Sequence, residues 1–127
     1  MLDTGVLMAY AQGVDALSEA MVAAADANAT VAVPLVCLLE AYSLLNHTEY
    51  AYLSMMRRNP AVRVLTPALQ VDRADGCPVA GGMARQAGRL GAGHAAFVAI
   101  SSAAGLITSR ADQVRKVLGD DWPIVEV

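Results

Sequence analysis

Two carboxylates stand shortly after predicted strands. Asp3 closes the stretch "MLD", and Glu40 lies about two helical turns after the strand "TVAVP", as the sole charge in the apolar helix "LVCLLEAYSLLN". In open parallel sheets, ligands bind beyond the carboxyl ends of the strands. Two carboxylates at that edge favour a hard cation such as Mg²⁺, which prefers oxygen ligands. A bound metal generates hydroxide and stabilises a phosphodiester transition state. The pattern therefore predicts Asp3 and Glu40 as metal-binding, catalytic residues.

The same two acids also have a structural interpretation. An unpaired buried carboxylate is very costly, so Glu40 must reach solvent, an arginine or a metal. Asp3 precedes Thr4, where a helix is predicted to begin, and a carboxylate at a helix N-terminus is stabilising without doing any chemistry. Spacing alone leaves both interpretations open.

The stretch "RLGAGHAAFVAISSAAGLITSRAD" (Arg89–Asp112) holds the other polar candidates. It predicts a helix over Gly93–Ala104, with Gly105 as its cap, followed by the buried strand "LIT". His94 is a candidate nitrogen ligand that would shift the metal preference from Mg²⁺ toward Mn²⁺ or Zn²⁺. A packed or hydrogen-bonded structural histidine is the alternative.

Helix and strand signals alternate along the rest of the chain. Thr4 is predicted to cap the helix "GVLMAYAQG", and "VDALSEAMVAAADANA" is a second helix. "LVCLLEAYSLLN" and "TEYAYLSMMRRN" form a helical hairpin that ends at Asn59 and Pro60. The strand "VRVL", a short helix around Gln70–Asp75, and the helix "VAGGMARQAG" follow. "ADQVRKVLG" is the last helix and "PIVEV" the last strand. This order predicts a single α/β domain, residues 1–127, with three α/β/α layers and a mostly parallel central sheet.

Composition narrows the class of protein. The chain has 127 residues, 56% of them hydrophobic, and a net charge of −3. Its apolar runs are shorter than the ~20 residues that span a bilayer, and its start has no secretory pattern. Cys37 and Cys77 match no metal spacing, which predicts reduced thiols in a cytoplasmic protein. The nine basic residues are scattered along the sequence, and they are few for a protein that binds nucleic acid through its phosphates. The apolar excess predicts a homodimer and no membrane segment.

Three segments together resemble the PIN domain family. "MLDTGVLMAYAQG" resembles its opening, where a strand delivers an Asp, then Thr or Ser, then an apolar helix. "TVAVPLVCLLEAYSLL" resembles its second segment, and "GHAAFVAISSAAGLITSRADQVRKVL" its third. The similarity spans nearly the whole chain. It implies the PIN-like three-layer fold and a relation to VapC-type toxins, which are Mg²⁺-dependent endoribonucleases that an antitoxin neutralises.

The resemblance also assigns roles to single residues. It implies that Asp3 and Glu40 are the first two metal-site acids, that Thr4 is the hydroxyl residue beside the first, and that Thr108 ends the fourth strand. The third acid is expected near Gly91 or Ala92, and the fourth near Arg110, with Asp112 two residues further along. An arginine guanidinium can donate two parallel hydrogen bonds to a carboxylate. Arg110 is therefore predicted to be an internal counter-ion in the place of the metal, and with His94, Thr4 and Thr108 it completes the candidate substrate-binding set.

Three functions follow as hypotheses. The first is a VapC-like endoribonuclease that uses Mg²⁺ or Mn²⁺, with RNA as its substrate and an antitoxin as its partner. The second is a catalytically inactive PIN-like module that binds RNA or protein. The third is an unrelated Rossmann-like protein that binds a small molecule. The abrupt start at Met1 also predicts a first strand shortened by a misplaced start.

Overall fold

The computed structural model describes residues 1–66 and 76–127. In these ranges the chain forms seven helices and four strands that alternate much as the sequence predicts. They are α1 (Thr4–Ala11), α2 (Asp15–Asp26), β1 (Val31–Pro34), α3 (Leu35–Leu44), α4 (His47–Met56), β2 (Val62–Leu65), α5 (Gly76–Ala87), α6 (Leu90–Ser102), β3 (Leu106–Thr108), α7 (Ala111–Leu118) and β4 (Ile124–Glu126). The α/β class is confirmed. The helix predicted around Gln70–Asp75 lies outside the described residues.

The strands pair in parallel, as two sheets of two strands. β1 pairs with β2 from Val31↔Val62 onward, and β3 pairs with β4 from Leu106↔Ile124 onward. The predicted first strand is reduced to a single parallel bridge between Leu2 and Ile107. The Leu2 amide also donates to the Ala32 carbonyl at 2.9 Å. The start of the chain therefore lies between the two sheets and is hydrogen-bonded to both.

Asp3, and not Thr4, caps helix α1, so the predicted cap was wrong by one residue. Asp3 has an extended backbone, and its Oδ1 accepts from the Val6 amide at 3.0 Å. A carboxylate at this position satisfies one of the free amides of the first turn. The Thr4 hydroxyl is turned instead toward helix α3, where it donates to Glu40.

Helix α6 begins at Leu90, three residues before the predicted start at Gly93. Its cap is Ala103, which has a left-handed backbone with φ of 49°, and not Gly105. Gly105 serves close packing instead, because a Cβ there would lie 3.3 Å from the Pro123 carbonyl oxygen ahead of β4. The early start matters for the site, since it places Gly91 in the first turn of the helix.

The core lies where the apolar helices α1, α3 and α6 meet the strands. Val6 and Leu7 of α1, Leu53 and Met56 of α4, and Val98 of α6 are almost fully buried. Helix α6 also packs closely along α5. Within the described ranges, no helix is both long enough and apolar enough to cross a membrane.

Close packing of α5 on α6 depends on Gly93. A Cβ at Gly93 would lie 2.1 Å from the Ala84 Cα, which is far inside van der Waals contact. Because a glycine hydrogen takes the place of that Cβ, the backbones of the two helices can approach each other here.

Candidate functional site

Asp3 is a buried carboxylate with both oxygens in use. It is 3% exposed. Oδ1 accepts from the Val6 amide, and Oδ2 accepts a short hydrogen bond from the Thr108 hydroxyl. Burial raises the pKa of Asp3, although the hydrogen bonds from Thr108 and Val6 partly oppose the shift. The carboxylate thus links the start of α1 to the end of β3.

Glu40 is joined to this position through Thr4. The Thr4 hydroxyl donates to Glu40 Oε2 at 2.5 Å, and Thr4 is itself 2% exposed. These contacts form two hydrogen-bonded pairs, Thr108–Asp3 and Thr4–Glu40, which are neighbours because Asp3 and Thr4 are consecutive residues. We call the four residues the acid cluster. Asp3 accepts its hydrogen bond from Thr108 at the end of β3, and Glu40 reaches Thr4 from α3. The sequence prediction named all four of these residues.

The counter-ion of the acid cluster is Arg89, and not Arg110. Nη2 of Arg89 lies 3.6 Å from Glu40 Oε2, with the two side chains 30% and 22% exposed. Arg110 is exposed, and it forms no ion pair with Asp3 or Glu40; only its backbone amide reaches the cluster, donating to Thr108 Oγ1 at 2.9 Å. Both arginines immediately precede a helix. Helix α6 packs on α3 and so places Arg89 beside Glu40, whereas the Arg110 side chain before α7 is exposed.

Gly91 occupies the place where the third acid was expected. A Cβ at Gly91 would lie 2.2 Å from Thr4 Oγ1 and 2.4 Å from Glu40 Oε2. The backbone of α6 therefore packs directly on the Thr4–Glu40 hydrogen bond. The sequence prediction placed this position correctly at the cluster, but the space for a third side chain is already filled.

Cys37 is a neighbour of the acid cluster that the sequence analysis did not assign to the site. Its Sγ donates to the Gly91 carbonyl at 3.2 Å. Burial raises the pKa of the Cys37 thiol to about 12, and the nearby carboxylates of Asp3 and Glu40 act in the same direction. The available signal was its spacing, because Cys37 precedes Glu40 by three residues and shares its face of α3. The thiol is free, as predicted.

His94 lies one turn beyond Gly91 on α6, outside the hydrogen bonds of the acid cluster. It is 8% exposed, and its Nδ1 has no hydrogen-bond partner among residues 1–66 and 76–127. Burial lowers the pKa of His94, which favours the neutral imidazole. Asp112 is exposed in the first turn of α7 and does not replace a lost ligand in the cluster.

The donor set of the acid cluster does not fit a tight divalent-metal site. Across residues 1–66 and 76–127, no group of three or more His, Cys, Asp or Glu side chains is arranged to hold a metal ion. Asp3 has both oxygens engaged by protein donors, and Glu40 Oε2 is shared by Thr4 and Arg89. A hard cation such as Mg²⁺ would have to displace these partners, and Gly91 would supply no ligand in return.

Comparisons of the chain with protein-family models, with curated proteins and with solved structures find no match.

Proposed function

We propose that the chain is a PIN-like domain, similar in fold to VapC-type endoribonuclease toxins, whose acid cluster is structural and which acts by binding a protein partner. In this proposal the two sheets and the first residues form one central parallel sheet in a three-layer α/β/α domain. The bridge from Leu2 to Ile107 and the hydrogen bond from Leu2 to Ala32 support that arrangement. We propose the cytoplasm as its location.

The observation that carries the proposal is the set of contacts on Glu40 Oε2. One oxygen accepts from Thr4 and faces the guanidinium of Arg89, with the Gly91 backbone packed against the pair. A cation supplied by the protein neutralises the carboxylate without a metal. The two carboxylates then contact residues of α1, α3, α6 and β3. This is a structural role that requires no hydrolysis.

Exposed leucines beside the acid cluster support a protein partner. Leu39 is 60% exposed and precedes Glu40, and Leu90 is 64% exposed and follows Arg89. Contiguous apolar patches on a surface are typical of protein contacts, and in this proposal Leu39 and Leu90 belong to one such patch, since Glu40 and Arg89 beside them form an ion pair. The net charge of −3 disfavours the phosphate contacts on which RNA binding depends. A second copy of the chain is the partner that the predicted homodimer supplies, and an antitoxin-like protein is the other.

An RNA-cleavage assay tests the absence of catalysis. The wild-type protein and Asp3→Ala are incubated with single-stranded RNA and either Mg²⁺ or Mn²⁺. We expect equal, background-level cleavage from both. Metal-dependent cleavage by the wild-type protein that Asp3→Ala abolishes would overturn the proposal.

Sedimentation equilibrium tests the protein contact. Leu39→Glu and Leu90→Glu are expected to weaken self-association, because each places a charge on an apolar contact. Val22→Glu on α2 is the matched control, since Val22 is 58% exposed and lies away from the acid cluster in sequence. A dimer that is unaffected by the two leucine substitutions but lost in the control would place the contact elsewhere.

The second candidate function is a metal-dependent endoribonuclease. It is favoured by the convergence of Asp3 and Glu40, together with Thr4 and Thr108, beside the end of β3. Isothermal titration with Mn²⁺ separates the two candidates. Binding in the micromolar range that Glu40→Gln removes would favour the nuclease, with RNA as its substrate.

A further inference from the structure

A second region of the molecule, separate from the acid cluster, contains an apolar cavity of about 110 Å³. It lies between α1, α2 and the strands. Leu2 and Ile107 line it from the strand side, Val6 and Tyr10 from α1, and Leu17 and Met21 from α2. Among the described lining residues, Tyr10 is the one with a polar side-chain atom. For comparison, an engineered apolar cavity of about 150 Å³ stays dry and binds benzene or xenon.

The cavity exists because α2 presents small side chains to it. Ala20 and Ala24 line it at positions where larger residues would fill the space. Ala20 is also exposed, so the cavity reaches the surface beside this residue. The lining therefore offers a path from solvent as well as an apolar interior.

Helix α2, which covers one side of the cavity, has few features that anchor it to the rest of the protein. Leu17 and Met21 are its two buried residues, and its N-terminus has no side-chain cap. Few buried apolar contacts and an uncapped end are features of an element that opens at low cost. A molecule that fills the cavity would add contacts to this helix and stabilise it.

From the lining, the size and the loose cover, we infer that this cavity is a binding site for a small, uncharged, ring-sized apolar molecule. Within the part of the chain that the structure describes, no charged side chain lines the cavity to receive a carboxylate or an amine, and an unpaired charge is costly to bury. The inference is independent of the proposed function, because no residue of the acid cluster lines the cavity.

Benzene is the probe, and benzoate is its charged counterpart. At ten times its dissociation constant, benzene is expected to raise the Tm of the wild-type protein by about 5 °C, since it binds the folded state alone. Benzoate at the same concentration is expected to leave the Tm unchanged. No rise with benzene up to its solubility limit, or an equal rise with benzoate, would overturn the inference.

Two substitutions on α2 locate the site. Ala24→Leu fills the cavity and is expected to abolish the benzene-induced rise in Tm. Ala23→Leu makes the same change at an exposed position of the same helix and is expected to retain it. Equal rises in both variants would show that benzene acts elsewhere and would reject the cavity as the site.

Methyl NMR of the wild-type protein keeps the test independent of whether the variants fold. Benzene is expected to shift the methyl signals of Val6, Leu17 and Met21, which line the cavity. The methyl signals of Leu53 and Val114, which are buried but do not line it, serve as internal controls. Shifts at the controls without shifts at the lining residues would contradict the inference.

Discussion

A Cβ on Gly91 would lie 2.4 Å from Oε2 of Glu40, so the absence of a side chain at Gly91 is what leaves room for the Thr4–Glu40 hydrogen bond. Helix α6 packs on α1 and α3 through this point. Replacing a glycine inside a helix usually stabilises a protein, but at Gly91 we expect the replacement to destabilise it.

Gly91→Ala is expected to destabilise the protein by about 1–3 kcal/mol, the usual cost of overpacking a tight site. In an open helix the same change would stabilise by about 1 kcal/mol. The new methyl group must displace Thr4 Oγ1, which is 2.2 Å from its position, as well as Glu40 Oε2. Urea denaturation measures the change in the free energy of unfolding.

Gly81→Ala and Gly82→Ala are the matched controls. Both glycines lie inside α5, and among the described residues beyond the local helix backbone no atom lies within 4 Å of an added Cβ at either position. Each control is expected to stabilise the protein. If Gly91→Ala proved as stabilising as the controls, the close approach of α6 to the Thr4–Glu40 pair would be refuted.

Thr108→Val tests the hydrogen bond that joins β3 to Asp3. The substitution preserves shape but removes the hydroxyl donor to a buried carboxylate. A loss of about 1–3 kcal/mol in the free energy of unfolding is expected, because the carboxylate stays buried with one partner fewer. Thr48→Val, at an exposed position of α4, is expected to change the free energy little. Similar losses in both variants would show that the hydrogen bond from Thr108 to Asp3 does not stabilise the fold.

The ion pair between Arg89 and Glu40 is expected to contribute little to stability. Both side chains are partly exposed, and pairs of this kind contribute about 0–1 kcal/mol. A double-mutant cycle with Arg89→Met and Glu40→Gln measures the coupling between them. The same cycle on Arg115 and Asp120, which lie 4.0 Å apart with Asp120 95% exposed, is the control and is expected to show less coupling. A coupling larger at the control pair would argue against the assigned counter-ion.

Much of the fold was predictable because its signals are local. The apolar helix α3, the Pro34 boundary and the strand "LIT" each depend on neighbouring residues, and each was confirmed. The start of α6 was placed too late, after Gly91, which is a poor helix former. Tertiary packing leaves no room for a side chain at either of two glycines in α6: Gly91 lies against Glu40, and Gly93 lies against Ala84. Patterns in the neighbouring sequence do not report such contacts.

The four residues of the acid cluster were named from the sequence, but their pairing was not. Asp3 and Glu40 came from their places after predicted strands, and Thr4 and Thr108 from the resemblance to the PIN family; the structure arranges them as the pairs Thr108–Asp3 and Thr4–Glu40. Arg110 and Arg89 both immediately precede helices, so sequence position does not distinguish between them. The choice of Arg89 depends on how α6 lies against α3, which is a property of the packed chain.

The raised pKa of Asp3 makes stability depend on pH in a defined direction. Burial disfavours the charged form in the folded state, so the folded protein binds a proton more readily than the unfolded chain. Between the ordinary pKa of 3.8 and the raised folded value, stability therefore falls as pH rises. Above that window the cost of the buried charge is fully present, and below it the cost disappears.

Asp3→Asn isolates this dependence, because the amide keeps an oxygen for the Val6 amide but does not titrate. The free energy of unfolding of wild type minus that of Asp3→Asn is expected to increase as pH falls from neutral toward 3.8. Urea denaturation at a series of pH values measures it. A difference that stays constant or decreases on acidification would contradict a raised pKa.

Cys37 is expected to resist alkylation in the folded protein. Its thiol is fully buried, and burial raises its pKa to about 12, so the reactive thiolate is scarce at pH 8. Iodoacetamide labelling followed by peptide mass spectrometry, which reads Cys37 separately from Cys77, is expected to show an unmodified Cys37 peptide under native conditions. Full labelling is expected in denaturing urea. Rapid native labelling of Cys37 would mean that α3 and α6 separate at this point, and with them the contacts that hold the acid cluster together.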